Sequence, residues 1–215
     1  MFEQIFDELN FDLVKLDFLY AAAPLHTGDH GNDNDGPYTE SRAARMTRAL
    51  EFLRSCCGEK LILGCGVPVM PAFGLVDYCR VGSDMSLDWD DKFFMRILHR
   101  ERVSTRQSIN NTVFRRQLDG RAFGNDPDVF FLRDSNLGLS KKEKNYLAAV
   151  NALLGSVWLT SDDLDQYDDQ KYTLYKQMSK LREAENVSID PDTLTLRFRL
   201  DGSEHTISYP HRIIS

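Results

Sequence analysis

Apolar residues recur along this chain in two alternating rhythms. Phe2, Ile5, Phe6 and Leu9 fall at helical spacing over residues 2–10, and Phe11 to Tyr20 follows as a β-prone apolar run. A loop from Pro24 to Tyr38, dense in glycine, asparagine and aspartate, leads into a helix over about residues 41–57. Ala44, Met46, Leu50 and Leu53 recur on one side of it, Thr39 or Ser41 can cap it, and Gly58 ends it. Leu61 to Cys65 reads as a short apolar strand, residues 66–74 as a turn-rich loop, and Val76 to Val81 as a strand running into Gly82-Ser83-Asp84. Residues 91–118 read as largely helical, Asp126 to Leu132 as a strand, and 141 to about 154 as a helix capped by Ser140. Val157 to Leu159 adds a short strand. This alternation is the α/β signature, with parallel strands joined by crossover helices. From residue 168 the character changes to a helix reaching about 184, then alternating segments on either side of Asp201-Gly202. That is a hairpin, expected in a separate β element.

The first of these strands breaks its own pattern. Lys15 and Asp17 lie inside the apolar run, and a period of two puts them on one face, opposite Val14, Leu16 and Phe18. A charge buried without a partner is costly. The pair therefore reads either as a structural ion pair at a strand end or as a carboxylate held beside a cation for chemistry. Spacing alone leaves both open. Cys65, Arg80, Asp84, Asp126 and Asp128 also fall at strands or their exits, where a (β/α)8 barrel carries its functional residues.

Composition narrows the function classes. With 26 basic and 33 acidic residues the net charge is −7, against the concentrated basic face of a nucleic-acid binder. The local basic stretch from Arg96 to Arg116 reads as a solvated helical face. No run approaches the roughly 18–20 apolar residues of a membrane span, and the first residues lack the pattern of a secretory leader. Cys56, Cys57, Cys65 and Cys79 have no zinc-site spacing, so a reduced, cytoplasmic protein is expected. Gly31 to Gly36 superficially matches a calcium loop, but Gly31 at its first position and Arg42 at its twelfth break the ligand pattern. None of His26, His30, His99, His205 and His211 carries a motif.

Five blocks then stand in order: Val14-Lys15-Leu16-Asp17-Phe18-Leu19-Tyr20, Gly64-Cys65-Gly66-Val67-Pro68, Arg80-Val81-Gly82-Ser83-Asp84, Asn125-Asp126-Pro127-Asp128, and Leu139 to Leu164. Together they resemble the retaining, melibiase-like α-galactosidases of glycoside hydrolase family 36, and more distantly family 27. The resemblance implies an α/β fold: strands 4 to 8 of a (β/α)8 TIM barrel over residues 1–166, then a linking helix and β-hairpin over 167–215. It also implies that Asp17 is the nucleophile and Asp84 the acid/base, with Lys15, Cys65 and Arg80 lining the galactose pocket. The expected substrate is an α-galactoside oligosaccharide, and no metal or organic cofactor is called for. Asp126 and Asp128 are expected to cap and brace the strand-end loop, and Trp89 to pack.

In that family the Lys-x-Asp strand is the fourth of the barrel, so the earlier strands are expected to be missing here. The chain then reads as a fragment or subunit completed by a second copy or a complementing chain. Two alternatives stay open: a catalytically inactive remnant or interaction module, and part of a galactosyl-transferring enzyme resembling raffinose and stachyose synthases.

Overall fold

The computed structural model describes residue 2 and residues 4–22, 41–97 and 103–211. The Pro24–Tyr38 loop with its calcium-like run, Thr39, and His26, His30 and His99 lie outside the described residues. The chain divides into two compact units, residues 1–80 and 81–215.

In the first unit a short π-helix, Gln4–Glu8, precedes β1 (Leu13–Leu16), α1 (Arg42–Cys57), β2 (Leu61–Gly64) and β3 (Tyr78–Arg80). β1 runs parallel to β2, with Lys15 opposite Leu63 and Leu16 opposite Gly64, and β2 runs parallel to β3. Parallel neighbours need a crossover, and α1 lies in the one between β1 and β2. Ser41 Oγ accepts the Ala44 N–H at 3.2 Å to cap α1, and the Gly58 N–H returns to the Arg54 carbonyl. Met46, Leu50 and Cys57 form its buried face, and Ile62, Leu63, Ala72 and Val76 are buried in the same unit.

Arg54 joins the pieces. Its guanidinium donates to the Leu75 and Lys60 carbonyls at 3.2 and 2.8 Å and to Asp77 Oδ2 at 2.6 Å. The same Asp77 oxygen accepts the Ile62 N–H at 2.7 Å, so one planar fork ties the end of α1 to β2 and to the segment entering β3.

Phe11 to Tyr20 is less regular than its apolar run suggests. Only four residues form the strand, and Phe18 turns the chain with a φ of 54°. The turn lets Leu19 and Tyr20 donate to the Cys65 and Gly66 carbonyls at 3.3 and 2.7 Å. It also leaves Phe18 64% exposed, where strict alternation had put it on the face with Val14 and Leu16.

The second unit begins with α2 (Phe93–Ile97), α3 (Thr105–Arg115), β4 (Gly124–Asp126), β5 (Val129–Phe130), α4 (Lys141–Leu154) and β6 (Leu159–Thr160). It ends with α5 (Asp169–Lys180), β7 (Glu185–Ile189), β8 (Leu196–Leu200) and β9 (Ser203–Ile207). The strand expected over Asp126–Leu132 is two strands. Pro127 has no N–H to give a ladder, and Asp128 adopts a φ of 76°. β5 pairs in parallel with β6.

α4 is the axis of this unit's core. A reciprocal capping box between Ser140 and Glu143 starts it, and Tyr146, Leu147, Ala148 and Val150 are buried along it. Ile109, Val113, Phe130, Leu181, Leu196 and Phe198 complete the same cluster. The expected hairpin joins β8 to β9 through Asp201-Gly202, both with positive φ, as a tight hairpin turn demands. β7 adds a third, antiparallel strand that the polar segment Glu185-Asn-Val-Ser-Ile189 did not announce.

Phe130 is fully buried and stacks on Trp158 with ring centroids 4.4 Å apart. Phe130→Ala should cost about 3–5 kcal/mol, read as a lowered urea midpoint with an unchanged slope.

Candidate active site

In the first unit the register of β1 against β2 sets the geometry of a charged cluster. Cys65 donates its N–H to the Leu16 carbonyl at 2.8 Å, which brings the residue after β2 alongside the residue after β1. Asp17 is that residue. It is exposed, and its Oδ1 accepts the Phe18 N–H at 2.8 Å. Its pKa is held below the ordinary carboxylate value, first by a hydrogen bond from the Cys65 thiol, then by the Phe18 N–H and by the charges of Lys15 and Arg80. Cys65 is buried, and burial together with the Asp17 bond pushes its thiol up to about 11. The sulfur therefore stays protonated at neutral pH and serves as a donor to an ionised carboxylate. Gly66 makes the contact possible. Its φ is 58°, and a Cβ there would sit 3.3 Å from the Phe18 backbone.

Lys15, Asp17, Cys65 and Arg80 are thus gathered in one unit, around an accessible carboxylate kept charged. Asp84 lies in the second unit, exposed, on the loop that leads from Val81 towards α2. This unit fixes the loop closely. Asp128 Oδ2 accepts the Met85 N–H at 2.6 Å, and Thr105 Oγ1 donates to the Ser86 and Asp88 carbonyls at 3.0 and 2.9 Å. Asp126 Oδ1 accepts the Asp128 N–H at 2.8 Å. Both aspartates are buried and brace the strand-end loop, as read from their positions. Trp89 packs, with its ring 5.7 Å from Tyr209 and 4.7 Å from His211.

Two further groups carried no usable signal in the sequence. Asp162 has a fully buried side chain that accepts the Leu132 and Arg133 N–H groups and the Tyr167 hydroxyl, and it pairs with Arg133 at 2.9 Å. It holds the exit of β5. His211 meets the buried Glu143 at 2.7 Å across 68 positions, a separation that no local motif can encode. A cavity of about 630 Å³ opens between Trp89, Arg106, Asn110, Tyr209 and His211, and none of the expected site residues lines it. Among the described residues no group of three or more His, Cys, Asp or Glu could hold a metal ion. No described helix is long and apolar enough to cross a membrane.

No protein-family model matches the chain. Solved structures do. An α-galactosidase from Thermus thermophilus, in complex with p-nitrophenyl α-D-galactopyranoside, is 28% identical with a TM-score of 0.72, covering 97% of this chain. The α-galactosidase of Saccharomyces cerevisiae with raffinose is 12% identical over 91% of the chain, with a TM-score of 0.60. α-Galactosidase I of Mortierella vinacea is 16% identical over 94%, with a TM-score of 0.59. The chain spans 40%, 46% and 53% of the lengths of these three proteins. It is a mixed α/β chain with parallel strands and an α-galactosidase-like fold.

The thiol contact makes a direct prediction. Cys65→Ala should raise the Asp17 pKa towards the ordinary carboxylate value, and Cys65→Ser, which keeps a donor, should raise it less. Carboxyl carbon shifts followed by NMR titration check this. A folded value below the unfolded one means that any stability from this bond is present above the ordinary carboxylate range. That contribution is lost as pH falls through the lowered value.

Proposed function

We propose that this chain supplies part of a retaining α-galactosidase: strands 4 to 8 of a (β/α)8 barrel over residues 1–166, with a linking helix and β element over 167–215. The family is glycoside hydrolase family 36. Asp17 attacks the anomeric carbon as the bond to the leaving oxygen breaks, and Asp84 gives that oxygen its proton. Water, deprotonated by Asp84, then releases galactose from Asp17. A retaining pair works with carboxyl groups about 5–5.5 Å apart. Lys15, Cys65 and Arg80 hold the sugar, and the substrate is a terminal α-galactoside of an oligosaccharide. The carboxylates carry the chemistry with no cofactor.

The observation that carries this reading is the exposed Asp17, kept ionised by Cys65 and flanked by two cations, in a chain 28% identical to a galactoside-bound α-galactosidase. A nucleophilic carboxylate needs that state. Four cysteines without a disulfide fit a reduced compartment, and we place the protein in the cytoplasm.

Further barrel strands complete the site. Among the described residues β1 stands at the end of its sheet, and Leu9, Phe11, Phe18 and Tyr20 are each more than half exposed around it. An open edge with apolar side chains beside it favours strand addition. The occupant carries the preceding barrel strands, or is a second copy of this chain. The same surface fits the alternative in which the chain is a non-catalytic interaction module. Transfer of galactose to a sugar in place of water is the other reading.

Galactose release from p-nitrophenyl α-galactoside by the assembled protein tests the proposal. Asp17→Ala should lower the rate by on the order of 10³-fold or more while leaving the fold intact. Competition by added sugar acceptors separates transfer from hydrolysis. Well-folded, fully assembled protein that releases no galactose sinks the enzymatic reading.

A further inference from the structure

We infer that Asp128 is a positioning residue that sets the direction of the Asp84 carboxyl by clamping the peptide that follows it. The inference rests on Asp84 as the acid/base. The plane of the Asp84–Met85 peptide fixes ψ of Asp84, and hence the direction in which its side chain leaves the backbone. That plane is held through the Met85 N–H, which donates to Asp128 Oδ2 at 2.6 Å. A carboxylate acceptor makes this bond stronger than a neutral one would.

The clamp is itself held from two sides. Asp128 sits at a φ of 76°, a conformation that aspartate and asparagine tolerate better than most residues. Its N–H donates to Asp126 Oδ1 at 2.8 Å, and its carbonyl accepts Asn151 Nδ2 at 2.9 Å from the middle of α4. Asp126 and Asn151 are buried, so the anchor lies in the core. On either side of Asp84 the loop is fixed by other bonds: the Val81 N–H to the Asp126 carbonyl at 3.1 Å, and the Gly138 N–H to the Leu87 carbonyl at 2.8 Å. The flanks are set by β4 and by the segment before α4, and the peptide beside the carboxyl is set by Asp128. An acid that must meet a leaving oxygen within hydrogen-bond reach needs such a fixed base.

Two substitutions separate the clamp from plain backbone strain. Asp128→Gly suits the positive φ and removes the acceptor. Asp128→Asn suits the same φ and keeps an acceptor oxygen. Amide exchange followed by NMR on the purified chain should show Met85 protected, with protection at least about tenfold lower in Asp128→Gly and largely recovered in Asp128→Asn. The α4 amides should stay protected in both.

In the assembled enzyme, Asp128→Gly should slow galactosides with sugar leaving groups at least about tenfold more than p-nitrophenyl α-galactoside, whose leaving group departs without a proton. Asp128→Asn should recover most of that loss. A Met85 amide that exchanges equally fast in wild type and Asp128→Gly overturns the inference, and so does an equal loss on both substrates. If the wild type turns over neither substrate, the glycosidase reading falls, while the exchange result still decides whether the clamp exists.

Discussion

The pairing of β1 with β2 is the constraint on which the candidate chemistry depends. Leu16 lies opposite Gly64, and the ladder continues past both strands through the Cys65 N–H to Leu16 and the Tyr20 N–H to Gly66. A slip of one residue would turn Asp17 away from Cys65 and put Lys15 on the other face. The register is in turn locked from behind. Arg54 and Asp77 bind the ends of α1 and β2 into one hydrogen-bonded knot, so the helix that crosses between the strands also sets how far β2 extends. The thiol–carboxylate contact is thus the last link of a chain that begins in the packing of α1.

The acidic residues beside the strands divide by what their oxygens do. Asp77, Asp119, Asp128 and Asp162 each accept a backbone N–H from another segment, as at Ile62, Asn125, Met85 and Leu132. Those carboxylates staple loops to strands. Asp17 accepts its neighbour's N–H, from Phe18, and it remains exposed to whatever enters. Asp84 is likewise exposed, on a loop that other groups hold. The stapling acids supply rigidity, and Asp17 and Asp84 stand exposed at the surface. For Asp128 and Asp162, whose side chains are buried, the division follows from desolvation: a buried carboxylate must be saturated with donors, and a saturated one has little left for a reacting atom.

Much of this was legible in the chain. The caps at Ser41 and Ser140 and the Asp201-Gly202 turn announced their elements, because each is a local signal with a local cause. The grouping of Lys15, Asp17, Cys65 and Arg80 was legible because parallel strands bring their C-terminal ends together. Three things were missed. The break at Pro127-Asp128 had a signal, an Asp-Pro-Asp run of residues depleted in strands, which the apolar stretch from Val129 to Leu132 outweighed in the reading. β7 is polar along most of its length and pairs through a register shift, so it lacks the alternation that reveals strands. The Glu143–His211 contact joins residues far apart in sequence, and only the folded chain brings them together.

The central claim is that Asp17 is a nucleophile and not half of a structural ion pair. A fluorinated galactosyl fluoride, which forms the covalent galactosyl-enzyme quickly and releases it slowly, tests this directly when the labelled assembly is digested and its peptides are weighed. The account predicts a single sugar adduct per chain, on the peptide that contains Asp17 and on that side chain. Turnover of α-galactosides with no adduct on Asp17, or with the adduct on another carboxylate, would contradict it.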